Sequence, residues 1–270
     1  MSKTNIEWTH RPGTRPVSWN PLAGCTKISE GCANCYALRD SWRIVNNPKH
    51  PARYDGAVML SPRGEPMWTG CVSLDEAELE RPLRWRVPRT VFVCSMSDLF
   101  HSGVPEWFIW RVIETAWKAK AHTFQVLTKR AERMADVLTR SMWWLNDTPD
   151  NVWLGVTVES EWYTPRAYCL SDIPAPVKFL SLEPLLGPVD LDLLAETNID
   201  WVLVGGESGA HARPMREAWV RDIIAQCRTW GVGVFVKQMG TVWAREHGLR
   251  GKASDPADWP EDLRVREWPA

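Results

Sequence analysis

The chain has 270 residues, of which 44% are hydrophobic and 24% are charged. This composition excludes an intrinsically disordered chain and supports a folded protein with a packed core. The 32 Lys and Arg residues against 33 Asp and Glu give a net charge of -1. We therefore expect no global attraction to nucleic acids or acidic membranes.

The first residues and the cysteines predict a cytoplasmic protein without a membrane anchor. The opening segment MSKTNIEWTH lacks the apolar core of a signal peptide, and no apolar run approaches the ~20 residues that span a bilayer. The 7 cysteines are odd in number and are not spaced like a secreted disulfide scaffold, so we expect reduced thiols. The 18 tryptophans predict core packing and aromatic surfaces that stack on planar ligands.

Short apolar, β-branched runs alternate with amphipathic helical segments along the chain. The predicted strands are 16–20, 69–74, 91–95, 123–127, 152–158, 177–182, 201–204 and 232–236. Helices are predicted to start at Pro105, to include 134–145, and to end at Gly231, where a glycine favours the helix terminus. Alternating strands and helices with nearly continuous apolar strands are typical of a parallel sheet covered by helices.

The sequence therefore predicts an α/β fold, a single TIM-like (β/α) barrel with about eight parallel strands. The alternative is an open six-stranded partial barrel, because the first strand is short. We expect one domain over 1–270. A Pro-rich insertion at 46–68 is predicted to form a loop or lid, and an irregular tail at 250–270 is predicted to pack on the barrel.

Three cysteines lie within eleven residues in a loop that follows the first predicted strand. Cys25, Cys32 and Cys35 form the pattern C-x6-C-x2-C. Because this loop precedes the first helix, we expect it at the carboxyl ends of the strands, where such barrels place active sites. Thiolates are soft, charged ligands that suit a metal centre. Three local ligands predict a [4Fe–4S] cluster with a distant fourth ligand or an open iron.

A structural zinc site is the alternative interpretation of the same cysteines. Cys32 and Cys35 have the spacing of half a zinc knuckle. The third ligand is then Cys25, and candidates for the fourth are His10, His50 and Cys71. The predicted place at the barrel mouth favours an iron–sulfur cluster over zinc.

Polar residues follow most of the predicted strands. Because parallel strands end at one edge, we expect these side chains to surround one pocket. They are Asp98, Thr128, Lys129, Glu159, Glu183, Glu207, Lys237 and Gln238. Gly205 and Gly206 lack side chains and allow a backbone to approach a ligand closely.

An open iron beside the first strand resembles the radical S-adenosylmethionine enzymes, whose usual spacing is C-x3-C-x2-C. A closer resemblance, over nearly the whole chain, is to a phage-associated three-cysteine-motif family of uncharacterised proteins. Besides the cysteine loop, its segments are 4–9 (TNIEWT), 19–21 (WNP), 95–100 (SMSDLF), 127–130 (LTKR), 154–159 (LGVTVE), 180–185 (LSLEPL), 204–209 (VGGESG), 212–214 (ARP) and 236–238 (VKQ).

The resemblance implies a radical enzyme that cleaves S-adenosylmethionine to a 5′-deoxyadenosyl radical. From their places at the predicted strand ends, the candidate cofactor-binding residues are Ser95, Asp98, Lys129, Gly205 and Gly206. The candidate catalytic residues from the same positions are Glu159, Glu183, Glu207 and Lys237. Glutamates would bind ribose hydroxyls or a substrate amine, and lysines would neutralise a carboxylate or phosphate.

Two other function classes stay open at this point. A glycosidase-like hydrolase would use the strand-end glutamates as an acid and base pair, and a non-catalytic zinc-stabilised barrel would bind a partner protein. The expected partners are a small-molecule or nucleotide substrate and an electron donor. A nucleic-acid contact by Lys118, Lys120, Lys129, Arg130, Arg133 and Arg140 is a minor alternative.

Overall fold

The computed structural model describes residues 4–49 and 52–269. The chain divides into two compact units. The amino-terminal unit extends to Arg130 and also includes Pro149–Val152, and the carboxy-terminal unit comprises Ala131–Thr148 and the chain from Trp153 onward. No helix among the described residues is long and apolar enough to cross a membrane.

Within residues 4–49 and 52 onward, the amino-terminal unit contains seven strands and three α-helices. The strands are β1 Arg15–Trp19, β2 Leu22–Ala23, β3 Val58–Leu60, β4 Pro66–Trp68, β5 Ser73–Leu74, β6 Arg89–Val93 and β7 Thr123–Thr128. The helices are α1 Tyr36–Val45, α2 Glu76–Leu79 and α3 Glu106–Lys118. Short 3-10 turns cover Glu7–Thr9, Glu30–Cys32, Ala52–Tyr54 and Arg81–Arg84.

Three of these strands are parallel and lie in the order β1, β6, β7. Val17, Val91 and Phe124 are in register, and all three are buried. On the opposite face, Trp8 packs against Phe92 with ring centroids 4.8 Å apart. Apolar residues on both faces explain why these strands read as nearly continuous hydrophobic runs.

The segment 69–74 is not a parallel strand, so this prediction is wrong. Only Ser73–Leu74 is extended, and it pairs antiparallel with Leu22–Ala23. The Pro-rich insertion contains a β-hairpin in which β3 and β4 pair antiparallel, with Val58 and Trp68 buried. The apolar residues between Val58 and Leu74 therefore belong to antiparallel pairs and not to the parallel strands. The pattern of apolar residues alone does not distinguish these two kinds of pairing.

Among the described residues, the carboxy-terminal unit contains four strands, the first of which begins one residue earlier at Val152, and five α-helices. The strands are β8 Val152–Thr157, β9 Lys178–Leu182, β10 Trp201–Gly205 and β11 Gly233–Gln238. The helices are α4 Ala131–Thr139, α5 Met142–Asn146, α6 Pro165–Ser171, α7 Glu217–Trp230 and α8 Thr241–Glu246. Short 3-10 turns cover Glu161–Tyr163, Asp192–Ala195, Pro256–Asp258 and Glu261–Leu263.

These four strands are parallel, in the order β8, β9, β10, β11. Their core is aromatic, and Trp201 lies at its centre. Its ring centroid is 6.1 Å from that of Trp153, 5.9 Å from Phe179 and 6.0 Å from Phe235. Part of the high tryptophan content is thus explained by packing, as the sequence predicts.

The described residues form seven parallel strands, three in one unit and four in the other. The predicted α/β class with parallel strands is confirmed. A closed barrel of about eight strands is wrong, because the segment 69–74 does not join the parallel strands and the strand order in each unit is linear. The predicted helix over 134–145 is two helices, and Ser141 caps the second by accepting a hydrogen bond from Trp144 N.

Candidate functional sites at the strand ends

The cysteine loop of the amino-terminal unit begins beside the end of β6. Gly24 forms an isolated parallel bridge with Ser97, which follows β6. The φ of Gly24 is 94°, which lies in the left-handed region. A Cβ atom on Gly24 would overlap the carbonyl oxygen of Cys71. Only glycine meets both conditions without strain. The loop with Cys25 therefore starts where the parallel strands end.

Asp98 connects the ends of two neighbouring strands. Its Oδ1 accepts hydrogen bonds from Thr128 Oγ1 at 2.7 Å and from Phe100 N at 2.9 Å. Its Oδ2 accepts from Arg130 Nη1 at 2.7 Å and from Lys129 N at 3.4 Å. The Asp98 side chain is 8% exposed and that of Arg130 is 12% exposed. This carboxylate is therefore largely withdrawn from solvent and paired with a guanidinium.

Arg130 carries this network to the cysteine loop. Its Nη2 donates to Thr26 Oγ1 at 2.7 Å and to Thr26 O at 3.2 Å. Gly103 N donates to His101 Nδ1 at 3.0 Å, so the ring proton is assigned to Nε2, which lies 3.1 Å from Thr26 Oγ1. Thr26 thus accepts from two side chains, and the residue next to Cys25 is fixed in position.

The three cysteines of the motif lie in this setting as free thiols. Burial raises the pKa of the Cys25 thiol to about 12; Asp98 raises it further and Arg130, whose Nη1 is 3.9 Å from the sulfur, opposes the rise. Burial also raises the pKa of Cys35. Cys32 is buried, 3.5 Å from Ser29 Oγ. Without a bound metal, Cys25 and Cys35 are therefore neutral near pH 7.

Cys25 and Cys35 pack against the same apolar cluster, together with Met96. The buried members of this cluster are Ala37, Leu38, Val58 and Trp68. The convergence of Cys25, Cys32 and Cys35 on one metal stays a prediction.

Thiol donors match an iron–sulfur or zinc centre in kind. Residues 4–49 and 52–269 nevertheless contain no group of three or more His, Cys, Asp and Glu side chains placed to hold a metal ion. Of the predicted fourth zinc ligands, His10 has its Nε2 3.2 Å from Thr4 O, Cys71 is exposed, and His50 lies outside the described residues. The cysteines are suitable metal ligands in their chemistry, but the described residues are not arranged as a complete metal site.

The predicted cofactor residues of this unit are held by the protein itself. Met96 N and Ser95 Oγ donate to Asn20 Oδ1 at 3.1 and 3.3 Å, and Ser97 N donates to Cys94 O. These backbone amides therefore already have acceptors. Burial raises the pKa of Cys35, and the charge of Lys129 opposes this rise.

In the carboxy-terminal unit, Glu159 and Glu207 are each bound to an arginine. Glu159 is fully buried, and its Oε2 accepts from Arg166 Nη1 at 2.7 Å. Glu207 accepts from Arg213 Nη2 at 2.6 Å, from its Nε at 2.9 Å and from its backbone N at 2.8 Å. Both glutamates are thus committed to local ion pairs, which stabilise the segments that follow β8 and β10.

Glu183 pairs with two residues at the end of β11. Lys237 Nζ donates to Oε1 at 2.7 Å and to Oε2 at 2.8 Å, and Gln238 Nε2 donates to Oε1 at 2.7 Å. Burial favours the neutral carboxyl, yet the charge and hydrogen bonds of Lys237, aided by Gln238, outweigh it and lower the pKa of Glu183. The Glu183 side chain remains 24% exposed. The Lys237 charge therefore favours the ionised form of this carboxylate.

The predicted glycine pair has a structural explanation in this unit. A Cβ atom on Gly206 would overlap the carbonyl group of Met239, so the close approach is to the chain's own backbone. At Gly205, a Cβ atom would lie 3.1 Å from Gln238 Nε2 and 3.3 Å from Glu183 Cγ. Gly205 thus leaves the space in which Glu183 and Gln238 meet.

Sequence reasoning missed the arginine partners of the predicted acids. Arg130 directly follows Lys129, and Arg213 lies in the 212–214 segment, so both were visible in short motifs. Arg166 follows Glu159 by seven residues without such a motif. Three basic residues of the predicted nucleic-acid contact pair with acidic side chains. Arg130 pairs with Asp98, Lys118 pairs with Glu114 at 2.6 Å, and Arg140 pairs with Asp136 at 2.9 Å.

Comparison with known proteins shows a family match over most of the chain. A family described as "Protein of unknown function (DUF5131)" matches residues 3–262. No curated protein and no solved structure matches the chain.

Proposed function

The chain belongs to the family of proteins of unknown function DUF5131, and we propose that it is a radical S-adenosylmethionine-type enzyme. In this proposal Cys25, Cys32 and Cys35 hold a [4Fe–4S] cluster. The substrate is a small molecule or nucleotide, and an electron donor supplies the reductant. The resemblance to the phage-associated three-cysteine-motif family is part of the same proposal.

One observation carries the proposal: the network of Asp98 and Arg130 fixes the cysteine loop at the carboxyl ends of parallel strands. Arg130 is bound to Asp98 and to Thr26, the residue next to Cys25. Active sites of parallel α/β folds lie at this edge. When held by Cys25, Cys32 and Cys35, a [4Fe–4S] cluster would supply the electron for reductive cleavage of S-adenosylmethionine.

The residues of this chain have defined tasks in the proposal. The three thiols lose their protons on binding iron. The Arg130 guanidinium, 3.9 Å from Cys25 Sγ, then faces a thiolate and offsets part of its charge. The Lys129 charge acts in the same direction on Cys35. All seven cysteines are free, and a cytoplasmic location, where thiols stay reduced, is part of the same proposal.

Metal analysis of protein purified without oxygen tests the proposal. We expect about four iron and four sulfide per chain after reconstitution, with the absorption of a [4Fe–4S] cluster. Cys25→Ala, Cys32→Ala and Cys35→Ala should each lose most of the iron. Cys71→Ala is the matched control, because Cys71 is an exposed thiol outside the motif, and it should keep the full content.

Release of 5′-deoxyadenosine from S-adenosylmethionine under dithionite is the activity test, with the three alanine variants inactive. Tight zinc without iron under the same anaerobic conditions would contradict the proposal and favour a zinc site. Iron that remains after all three substitutions would also contradict it.

The hydrolase alternative has less support. A glycosidase needs one carboxyl group that is protonated near neutral pH to act as the general acid. Glu159, Glu183 and Glu207 are each paired with a cation, and the pKa of Glu183 is lowered rather than raised. These surroundings favour ionised carboxylates.

A further inference from the structure

Helix α3 buries one face and carries three tryptophans on the other. Its buried residues are Phe108, Ile109, Val112, Ile113, Thr115 and Ala116, and this spacing places them on one side of a helix. Trp107 lies on the opposite side and is 50% exposed, and Trp110 and Trp117 on that side are partly exposed. The rest of the chain therefore leaves a large aromatic area of this helix uncovered.

The tryptophans have the spacing at which a second helix packs. Trp107, Trp110, Glu114 and Trp117 follow one another by three, four and three residues, which is the repeat of a helix–helix contact. We call this row the α3 seam. Glu114 is its polar member, and Lys118 Nζ of the same helix offsets its charge at 2.6 Å. The seam thus presents aromatic rings and one acid that is already neutralised.

The α3 seam is acidic at one end and basic at the other. Glu106 directly precedes Trp107, and Lys120 Nζ lies 5.4 Å from the centre of the Trp117 ring. In a second α3 that runs antiparallel, residues equally distant from the middle of the helix at Val112 lie at the same level. Trp117 of that copy then lies opposite Trp107, and its Lys120 lies beside Glu106. The seam is therefore complementary in charge to a second copy of itself.

We infer that the α3 seam is the interface between two copies of this chain, related by a two-fold axis that crosses α3 near Val112. Each contact of a two-fold interface occurs twice, so two Trp107–Trp117 contacts and two Glu106–Lys120 pairs form together. Partly exposed tryptophans are the residues that most often dominate such interfaces. The 3-10 turn Arg81–Arg84 packs against α3, and its exposed Leu83 adds apolar area beside the seam.

Sedimentation equilibrium of the full chain between 1 and 300 µM tests the inference. The seam is about 15 Å long, from ten residues of helical rise, which is a small interface. We therefore expect a monomer–dimer equilibrium with a dissociation constant on the order of 1–100 µM. A mass that stays at one chain up to 300 µM would overturn the inference and leave the seam to a different protein.

Trp107→Ala tests the aromatic part of the interface. It should raise the dissociation constant about 30-fold or more, as the loss of an interface tryptophan does. Because Trp107 is half exposed, the variant should keep the circular dichroism spectrum of the natural chain. Trp162→Ala is the matched control, since Trp162 is 87% exposed and lies outside α3, and it should dimerise like the natural chain.

Charge reversals at the two ends test the antiparallel arrangement and do not touch the buried face. Glu106→Lys alone and Lys120→Glu alone should each raise the dissociation constant about 10-fold at low salt, because like charges then meet twice. A chain with both substitutions should recover most of the affinity, since opposite charges meet again. Another protein in place of the second copy would not give this recovery.

Two further results would overturn the inference. They are an unchanged dissociation constant in folded Trp107→Ala protein and a double charge reversal that dimerises no better than the single ones. The mass measurements do not depend on iron content, so the inference and the proposed function fail separately.

Discussion

The two units treat charge at their strand ends differently. In the amino-terminal unit, one buried carboxylate, Asp98, collects hydrogen bonds from Thr128, Lys129 and Arg130, and Arg130 extends the network to Thr26. In the carboxy-terminal unit, three glutamates each have their own cation, and Glu159–Arg166 is an example. The first arrangement is a single connected network, and the second is a set of separate pairs.

The difference indicates what each arrangement can do. Because the Asp98 network includes the residue next to Cys25, loss of one member disturbs the loop that carries the proposed metal ligands. Separate pairs can be lost one at a time, and only Glu183 keeps appreciable exposure among the three glutamates. The first unit therefore links its strand ends to the cysteine loop, whereas the second unit neutralises each glutamate separately.

The largest expected effect is the loss of the Asp98 carboxylate. Asp98→Ala leaves Arg130 buried without its carboxylate and removes acceptors from Thr128 Oγ1 and Phe100 N. Removing one partner of a buried ion pair typically costs about 3–5 kcal/mol. Urea denaturation followed by circular dichroism measures this change in the free energy of unfolding.

Asp136→Ala is the control for this measurement. Asp136 also pairs with an arginine, Arg140, at 2.9 Å, but both side chains are more than half exposed. The expected cost is below about 1 kcal/mol. If the two substitutions cost the same, Asp98 would not be the centre of a network, and the contrast between the units would be lost.

The next effect is the pH dependence contributed by Glu183. Its pKa is lower in the folded chain, so the stabilisation is present above the unfolded value of about 4.3 and is lost as pH falls through the folded value. Glu183→Gln should cost about 2–3 kcal/mol at pH 7, because Lys237 is left without its carboxylate. The difference from the natural chain should shrink as pH falls below about 4.

Urea denaturation at pH 7, 5, 4 and 3.5 measures this trend for both chains. If the difference in the free energy of unfolding between the two chains stays constant over this range, the pKa of Glu183 is the same in the folded and unfolded states. In that case the separate-pair description of this unit would need revision.

The smallest expected effect concerns Gly206. A Cβ atom here would overlap the Met239 carbonyl, so Gly206→Ala should cost about 1–3 kcal/mol through backbone displacement. Gly187→Ala is the control, since no atom lies within 4 Å of its Cβ position and its φ is not in the left-handed region. Thermal unfolding should show a lower midpoint for the first variant and little change for the second.

Much of the fold can be predicted from the sequence, because strands that are buried on both faces appear as continuous runs of apolar residues. The positions of β1, β6 and β7–β11 agree with predicted strands to within a few residues. The segment 69–74 misled the prediction, since its apolar residues belong to a short antiparallel pair with Leu22–Ala23. Pairing partners depend on distant parts of the chain, which local periodicity cannot report.

The site is only partly visible in the sequence. Strand ends predict that Asp98, Glu183 and Lys237 lie at one edge of their sheets, and the Glu183–Lys237 pair joins two of them. The roles of Arg130 and Arg166 depend on how loops fold back on the strand ends. A long arginine side chain reaches acids several ångströms away in many directions, so its partner cannot be derived from spacing.

The segment after the last helix has a consequence for the behaviour of the protein in solution. Val236 N donates to Val265 O, Glu267 N donates to Val234 O, and Phe235 forms an antiparallel bridge with Arg266. These bonds occupy backbone groups of β11 that would otherwise be open at a sheet margin, where exposed strands recruit other chains into aggregates. Removal of 264–269 would therefore convert a shielded margin into a template for intermolecular β-pairing.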